Sequence, residues 1–174
     1  MLRRIATLCL LLAAGVSLGE KARIPEKIAI PEGYAAVASF EAKGDQLYEA
    51  KIGKGGRFEW GFVAPKAVLY DAKGKRAGTH YAGPTWEADD GSKISREKAM
   101  DLKSASPGDP KADIPLLRLE VKAAKGRAGL LSKVVYVQRL NTRGGVAPKE
   151  APKRAGSLAA VPYTATYVFY AKKE

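Results

Sequence analysis

Apolar residues in this chain recur at every second position, in short runs separated by turn residues. Phe58, Trp60 and Phe62 sit at i, i+2 and i+4, with Arg57, Glu59 and Gly61 offset from them. Side chains alternate faces along an extended strand, so the three aromatics share one face. Ile114–Lys122 repeats the pattern, with Leu117, Leu119 and Val121 against Arg118, Glu120 and Lys122. Tyr34–Glu41, Gln46–Ile52, Lys66–Asp71, Lys133–Leu140 and Tyr163–Ala171 read the same way, the last with Tyr163, Tyr167 and Phe169 on one side. Gly44-Asp45, Gly53 to Gly56, Ala64-Pro65, Ala72 to Lys75 and Gly83-Pro84 punctuate the runs. The pattern predicts an all-β single domain of about eight to ten mostly antiparallel strands, in a sandwich or a small barrel. Ser95–Lys103 fits a short helix or a strand equally well. Ser104–Asp113 and Asn141–Gly156 read as long loops, which in a compact domain are often functional.

The N-terminus reads as an address. Met1 to Arg4 form a basic head, Ile5 to Leu18 carry no charge, and Ser17-Leu18-Gly19 offers small residues for a signal peptidase. We expect residues 1–19 to be a signal peptide and residues 20–174 to be the domain, secreted or periplasmic, with no transmembrane span after cleavage. The 174 residues contain one Cys and one His. That excludes an intrachain disulfide, a multi-cysteine metal site and a two-histidine motif, and Cys9 lies in the segment to be removed. No metal and no cofactor are expected. The formal net charge is +12, which draws the protein to anionic surfaces. Export and the lack of a nucleic-acid motif argue against nucleic acid as a partner. A small-molecule ligand or an anionic cell-envelope component is expected instead.

Three stretches are more specific than composition. They are His80-Tyr81-Ala82-Gly83-Pro84-Thr85-Trp86-Glu87 with Asp90-Gly91-Ser92, then Tyr136 to Pro148 (YVQRLNTRGGVAP), then Val161 to Tyr170 (VPYTATYVFY). Together they resemble a family of secreted bacterial and fungal proteins known as domain of unknown function 3455, from about Pro31 to Tyr170. The resemblance implies one secreted domain and supplies no activity. Members usually carry a Cys two residues after the tyrosine matching Tyr48 and another in the loop before the last strand. Here Ala50 takes the first place and Lys149–Ala160 has no Cys. A cross-link closing about 100 residues contributes roughly 4–5 kcal/mol in the chain-entropy view. The core of this chain must supply that stability instead, or the loop must be looser.

The marked segments also hold the residues with chemistry. His80 is a base, ligand or pH switch in principle, and Glu87 would complete an acid–base pair. Tyr81 and Trp86 offer rings for a planar ligand, with Glu87 and Asp90 as acceptors. Arg139, Asn141 and Arg143 fall on one side if the strand continues, where two guanidiniums beside Gly144-Gly145 suit a carboxylate or phosphate. No G-x-S-x-G context surrounds Ser92. The reading favoured by these residues is a non-enzymatic exported β domain that binds a small ligand or an anionic envelope component. The alternatives are a hydrolase or lyase using His80 and Glu87, and a structural or surface interaction protein.

Overall fold

A computed structural model describes residues 23–126 and 128–174. The expected signal peptide, residues 1–19, lies outside the described residues. Ten strands follow in order: β1 (Tyr34–Ile52), β2 (Phe58–Tyr70), β3 (Arg76–Tyr81), β4 (Thr85–Ala88), β5 (Lys93–Ser95), β6 (Leu102–Ala105), β7 (Leu116–Glu120), β8 (Lys122–Ala123), β9 (Val134–Gly144) and β10 (Leu158–Lys172). They form one antiparallel sheet in the order β6-β7-β9-β10-β1-β2-β3-β4-β5-β8, curled into a half-barrel. The described residues hold no α-helix, only 3-10 turns at Glu26–Ile28 and Lys54–Gly56.

The curl is visible in how one stretch serves two flanks. β7 pairs with β9, and β8 pairs with β5 at the far end of the order. Only Val121 separates β7 from β8, and its N–H donates to the Val135 carbonyl at 2.8 Å. Leu116–Ala123 therefore bridges both sides of the sheet. Alternation then sends one face of every strand into a shared interior. Phe40, Leu69, Trp86, Ile94, Leu119, Val137, Tyr167 and Phe169 meet there as the core.

Several expected breaks are not breaks. Gly44-Asp45 does not turn the chain; β1 runs straight through it and pairs with both β2 and β10. Gly44 is there for close approach, since a Cβ would collide with the Lys66 carbonyl and Ala67. Ala64-Pro65 likewise lies inside β2. The ladder steps from Leu47↔Ala64 to Tyr48↔Phe62, leaving Val63 as an extra residue, and Pro65 sits beside that bulge. Ser95–Lys103 is neither one helix nor one strand: it spans the end of β5, a turn, and the start of β6.

The loop before β10 is tied without a cross-link. The Ala50 N–H donates to the Ser157 carbonyl at 2.8 Å, and the Gly156 N–H donates to the Ala50 carbonyl at 3.0 Å. The Trp60 indole N–H donates to the Glu150 carbonyl at 2.8 Å. On the outer face, Ile28 is fully buried and its carbonyl accepts from Gln138 Nε2 at 2.7 Å. Tyr170 donates its hydroxyl to Gln138 Oε1 at 2.6 Å, and Arg118 donates to the Ala29 carbonyl at 2.6 Å. These bonds fasten the segment before β1 across β7, β9 and β10.

Candidate functional site

The half-barrel encloses a cavity of about 360 Å³. Its walls are mostly apolar, from Phe62, Pro65, Pro84, Leu102, Ile114, Pro115, Leu117 and Leu119. Into them are set Gln46, Tyr48, His80, Trp86, Arg96, Arg139 and Tyr167. Ligand pockets of roughly 300–1,000 Å³ with apolar walls and a few convergent polar groups are the usual design for small molecules.

His80 and Trp86 form the aromatic wall. They are direct neighbours across β3 and β4 because Gly83-Pro84 turns the chain between them. Their rings stack at 4.3 Å with planes 12° apart, and the Tyr167 ring meets both edge-on, 4.9 Å from His80 and 5.4 Å from Trp86. His80 Nδ1 lies 2.8 Å from the Thr85 carbonyl. A carbonyl only accepts, so Nδ1 carries the proton. Burial pushes the imidazole down to about 3; the Thr85 bond opposes this and the Arg139 charge adds to it. His80 is thus neutral at ordinary pH, and its Nε2 offers a lone pair. Trp86 is 1% exposed, yet its Nε1 has no hydrogen-bond partner among the described residues.

The cations of the cavity have no acid beside them. No Asp or Glu lines it. Arg139 donates through Nε to the Pro115 carbonyl at 3.0 Å, which leaves its terminal amines without a partner among the described residues. Arg96 donates through Nη2 to the Met100 carbonyl at 2.6 Å, and its buried Nε is unpartnered. Tyr48 donates to the Gly145 carbonyl at 2.6 Å; burial raises its pKa, against the pull of Arg139.

Of the residues marked in the sequence, His80, Trp86 and Arg139 converge on this cavity. Glu87 does not. The register sets His80 against Trp86 and Thr79 against Glu87, so Glu87 lies on the opposite face from the imidazole. There it accepts from Tyr81 Oη at 2.6 Å and pairs with Lys93 at 3.0 Å. Asp90 is a turn residue: Oδ1 accepts from the Ser92 N–H and Oγ at 2.8 and 2.6 Å, and Oδ2 from the Leu130 N–H at 2.7 Å.

Arg139, Asn141 and Arg143 do not share a side, contrary to simple alternation. The β9–β10 register jumps from Leu140↔Thr166 to Arg143↔Thr164, and Asn141 has φ 50°. This bulge reverses the alternation. Arg139, opposite Tyr167, faces inward; Arg143 faces out and pairs with Asp113 at 3.3 Å. Exposed Asn141 donates to Thr166 Oγ1 at 3.2 Å. Among the described residues no group of three or more His, Cys, Asp or Glu is placed to hold a metal.

Gln46, Tyr48, Arg96 and Tyr167 belong to the cavity but were not marked by sequence reasoning. Gln46 and Tyr48 carried a signal: polar groups at the inward positions of β1, which are otherwise apolar or small. Among the described residues no helix is long and apolar enough to cross a membrane.

Neither the curated proteins nor the solved structures contain a match to this chain. Residues 31–171 match the family described as protein of unknown function (DUF3455), and the chain belongs to that family.

Proposed function

We propose that this protein binds a small molecule inside the half-barrel and performs no covalent chemistry on it. The observation that carries the reading is an apolar cavity among whose lining groups several buried donors lack partners of their own. Trp86 Nε1 and Arg96 Nε are donors without acceptors, and neutral His80, which lines the same cavity, keeps an acceptor at Nε2. A buried polar group without a partner costs about 1–3 kcal/mol, which a bound molecule would offset. The acid–base alternative finds no support, because His80 and Glu87 are separated by the sheet.

Native mass spectrometry on protein isolated from its own compartment tests this. A bound mass that is lost on replacing Trp86 with Ala, or on denaturation and refolding, is expected. Protein that is free of any bound mass and is stabilised by nothing in a broad small-molecule melting screen overturns it.

The same reading places the protein outside the cytoplasm, on the strength of the Met1–Gly19 pattern. An envelope or extracellular ligand follows from that location. N-terminal sequencing of protein recovered from cells should begin near residue 20; a retained Met1 overturns export by a cleaved signal.

A further inference from the structure

The cavity is not electrically neutral. Arg139 and Arg96 are both half-buried and line it together, and no carboxylate does. A guanidinium cannot shed its charge as a lysine can. Drawing a cation partly out of water without a counter-charge is costly, so two of them half-buried in one apolar recess favour an anion that the recess does not provide.

The hydrogen-bonding groups agree with the charge. Arg139 spends only Nε on the protein, on the Pro115 carbonyl, and keeps its terminal amines. That is the planar fork suited to a carboxylate. Buried Trp86 Nε1 is a second donor without an acceptor. His80 Nε2, by contrast, is a lone pair because Nδ1 keeps its proton for Thr85. It repels an anionic head and leaves the guanidiniums as its place. The remaining walls, such as Phe62, Ile114, Leu117 and Leu119, ask for an apolar body. Phe62 and Leu102 remain 53% and 42% exposed, so the apolar lining reaches solvent and the recess has an entrance.

Resting on the ligand-binding reading above, we infer that the ligand is a small organic carboxylate with an apolar body, its head held by Arg139 with Arg96 adding charge. The body lies along the aromatic and aliphatic walls. The class excludes cations and strongly polar molecules, for which the cavity offers neither acid nor a dense set of hydrogen-bonding groups.

The test is calorimetric titration of the protein with 2-naphthoate and decanoate, each compared with its neutral primary amide. Both shapes are used because the walls accept flat and extended bodies alike. At least one carboxylate should bind at least tenfold tighter than its amide. Arg139→Gln should close that gap, Arg139→Lys should keep part of it, and the surface control Lys153→Gln should leave it intact. Melting curves of each variant report folding; should Arg139→Gln not fold, Arg96→Gln takes its place, and the gap should narrow. Amides that bind as tightly as the carboxylates overturn the anionic class and leave the cavity reading standing. A preference that survives in the folded Gln variant overturns the role of the guanidinium. No binding by any of the four probes overturns this inference, while the ligand-binding reading beneath it stands or falls on the native mass spectrum and the melting screen.

Discussion

The His80 imidazole lies flat against the Trp86 indole, 4.3 Å between centroids, with both side chains almost fully buried. The pair is held by the β3–β4 register and by the Nδ1 bond to Thr85. A neutral imidazole can occupy this position; a charged one cannot without strong destabilisation. A double-mutant cycle with His80→Ala and Trp86→Ala should give a coupling of about 0.5–1.5 kcal/mol beyond burial. Trp86→Ala alone should cost about 3–5 kcal/mol in denaturant unfolding. Additive costs would mean the two rings are neighbours without an interaction.

The same burial makes stability depend on pH in a defined window. With its folded pKa pushed down to about 3, His80 binds its proton only in the unfolded chain between there and about 6.5. The unfolded state therefore gains as the pH falls. The contribution is complete above pH 6.5 and fades towards pH 3. Well inside the window the slope is about 1.4 kcal/mol per pH unit, or on the order of 4–5 kcal/mol in all. Urea unfolding between pH 6.5 and 5, where few carboxylates titrate, isolates it. His80→Gln should flatten that limb, and an unchanged slope would assign it to other groups.

Asp90 should matter as a clasp. It accepts from Leu130 and twice from Ser92, and the Leu130 N–H is the main reason its pKa is lowered. Its contribution is present above the unfolded value of about 4 and lost as the pH falls below it. Asp90→Ala should cost about 1–3 kcal/mol and speed hydrogen exchange at the Leu130 amide. Binding in the cavity should be unaffected, since Asp90 does not line it.

Gln138 holds the segment ahead of β1. It is 1% exposed and bonds both the Ile28 carbonyl and the Tyr170 hydroxyl. Gln138→Leu strands both partners and should cost about 1–3 kcal/mol. Tyr170→Phe removes one partner only and should cost about 1 kcal/mol. Equal losses for the two variants would show that the Ile28 bond carries nothing.

Gly145 should tolerate no side chain. Its φ is +84°, and a Cβ would lie 2.9 Å from Tyr163 Cβ and 3.0 Å from both Gln46 Cγ and Ile114 Cγ2. Its carbonyl is also the acceptor for Tyr48 at the cavity. Gly145→Ala should lower stability by at least about 1–2 kcal/mol and disturb cavity binding. Gly74→Ala, with a similar φ but open space around it, is the control that isolates backbone strain.

The alternation of Phe58, Trp60 and Phe62, or of Leu117, Leu119 and Val121, was enough to foresee an all-β domain, but not which runs form the core: Leu119 and Val121 are buried there, whereas Phe58 and Trp60 stay partly exposed and Phe62 is 53% exposed. Nor was it enough to foresee strand length. Gly44 and Pro65 read as turns by composition, whereas each serves a close approach or a bulge inside a long strand. His80 and Trp86 could be paired through the Gly83-Pro84 turn, but Glu87 looked available because the register was unknown. One residue of offset moves a side chain through the sheet. Arg143 failed for the opposite reason. Its strand does continue, but the bulge at Asn141 changes the parity, and nothing in the local sequence counts bulges. Arg96 reaches the cavity only through the curl that brings β5, β7 and β9 around one interior, a property of the whole sheet rather than of any segment.

The pairing of β1 with β10 along almost its whole length constrains when this chain can finish folding. The partner of β1 is β10, so β1 lacks one flank of its ladder until Leu158–Lys172 has been made. Contacts of such long sequence separation slow folding, because the closure entropy must be met before the ladder stabilises anything. A nascent chain of this topology stays open during synthesis. That delay leaves a long, unpaired strand edge in the growing chain, the kind of edge to which another strand can add.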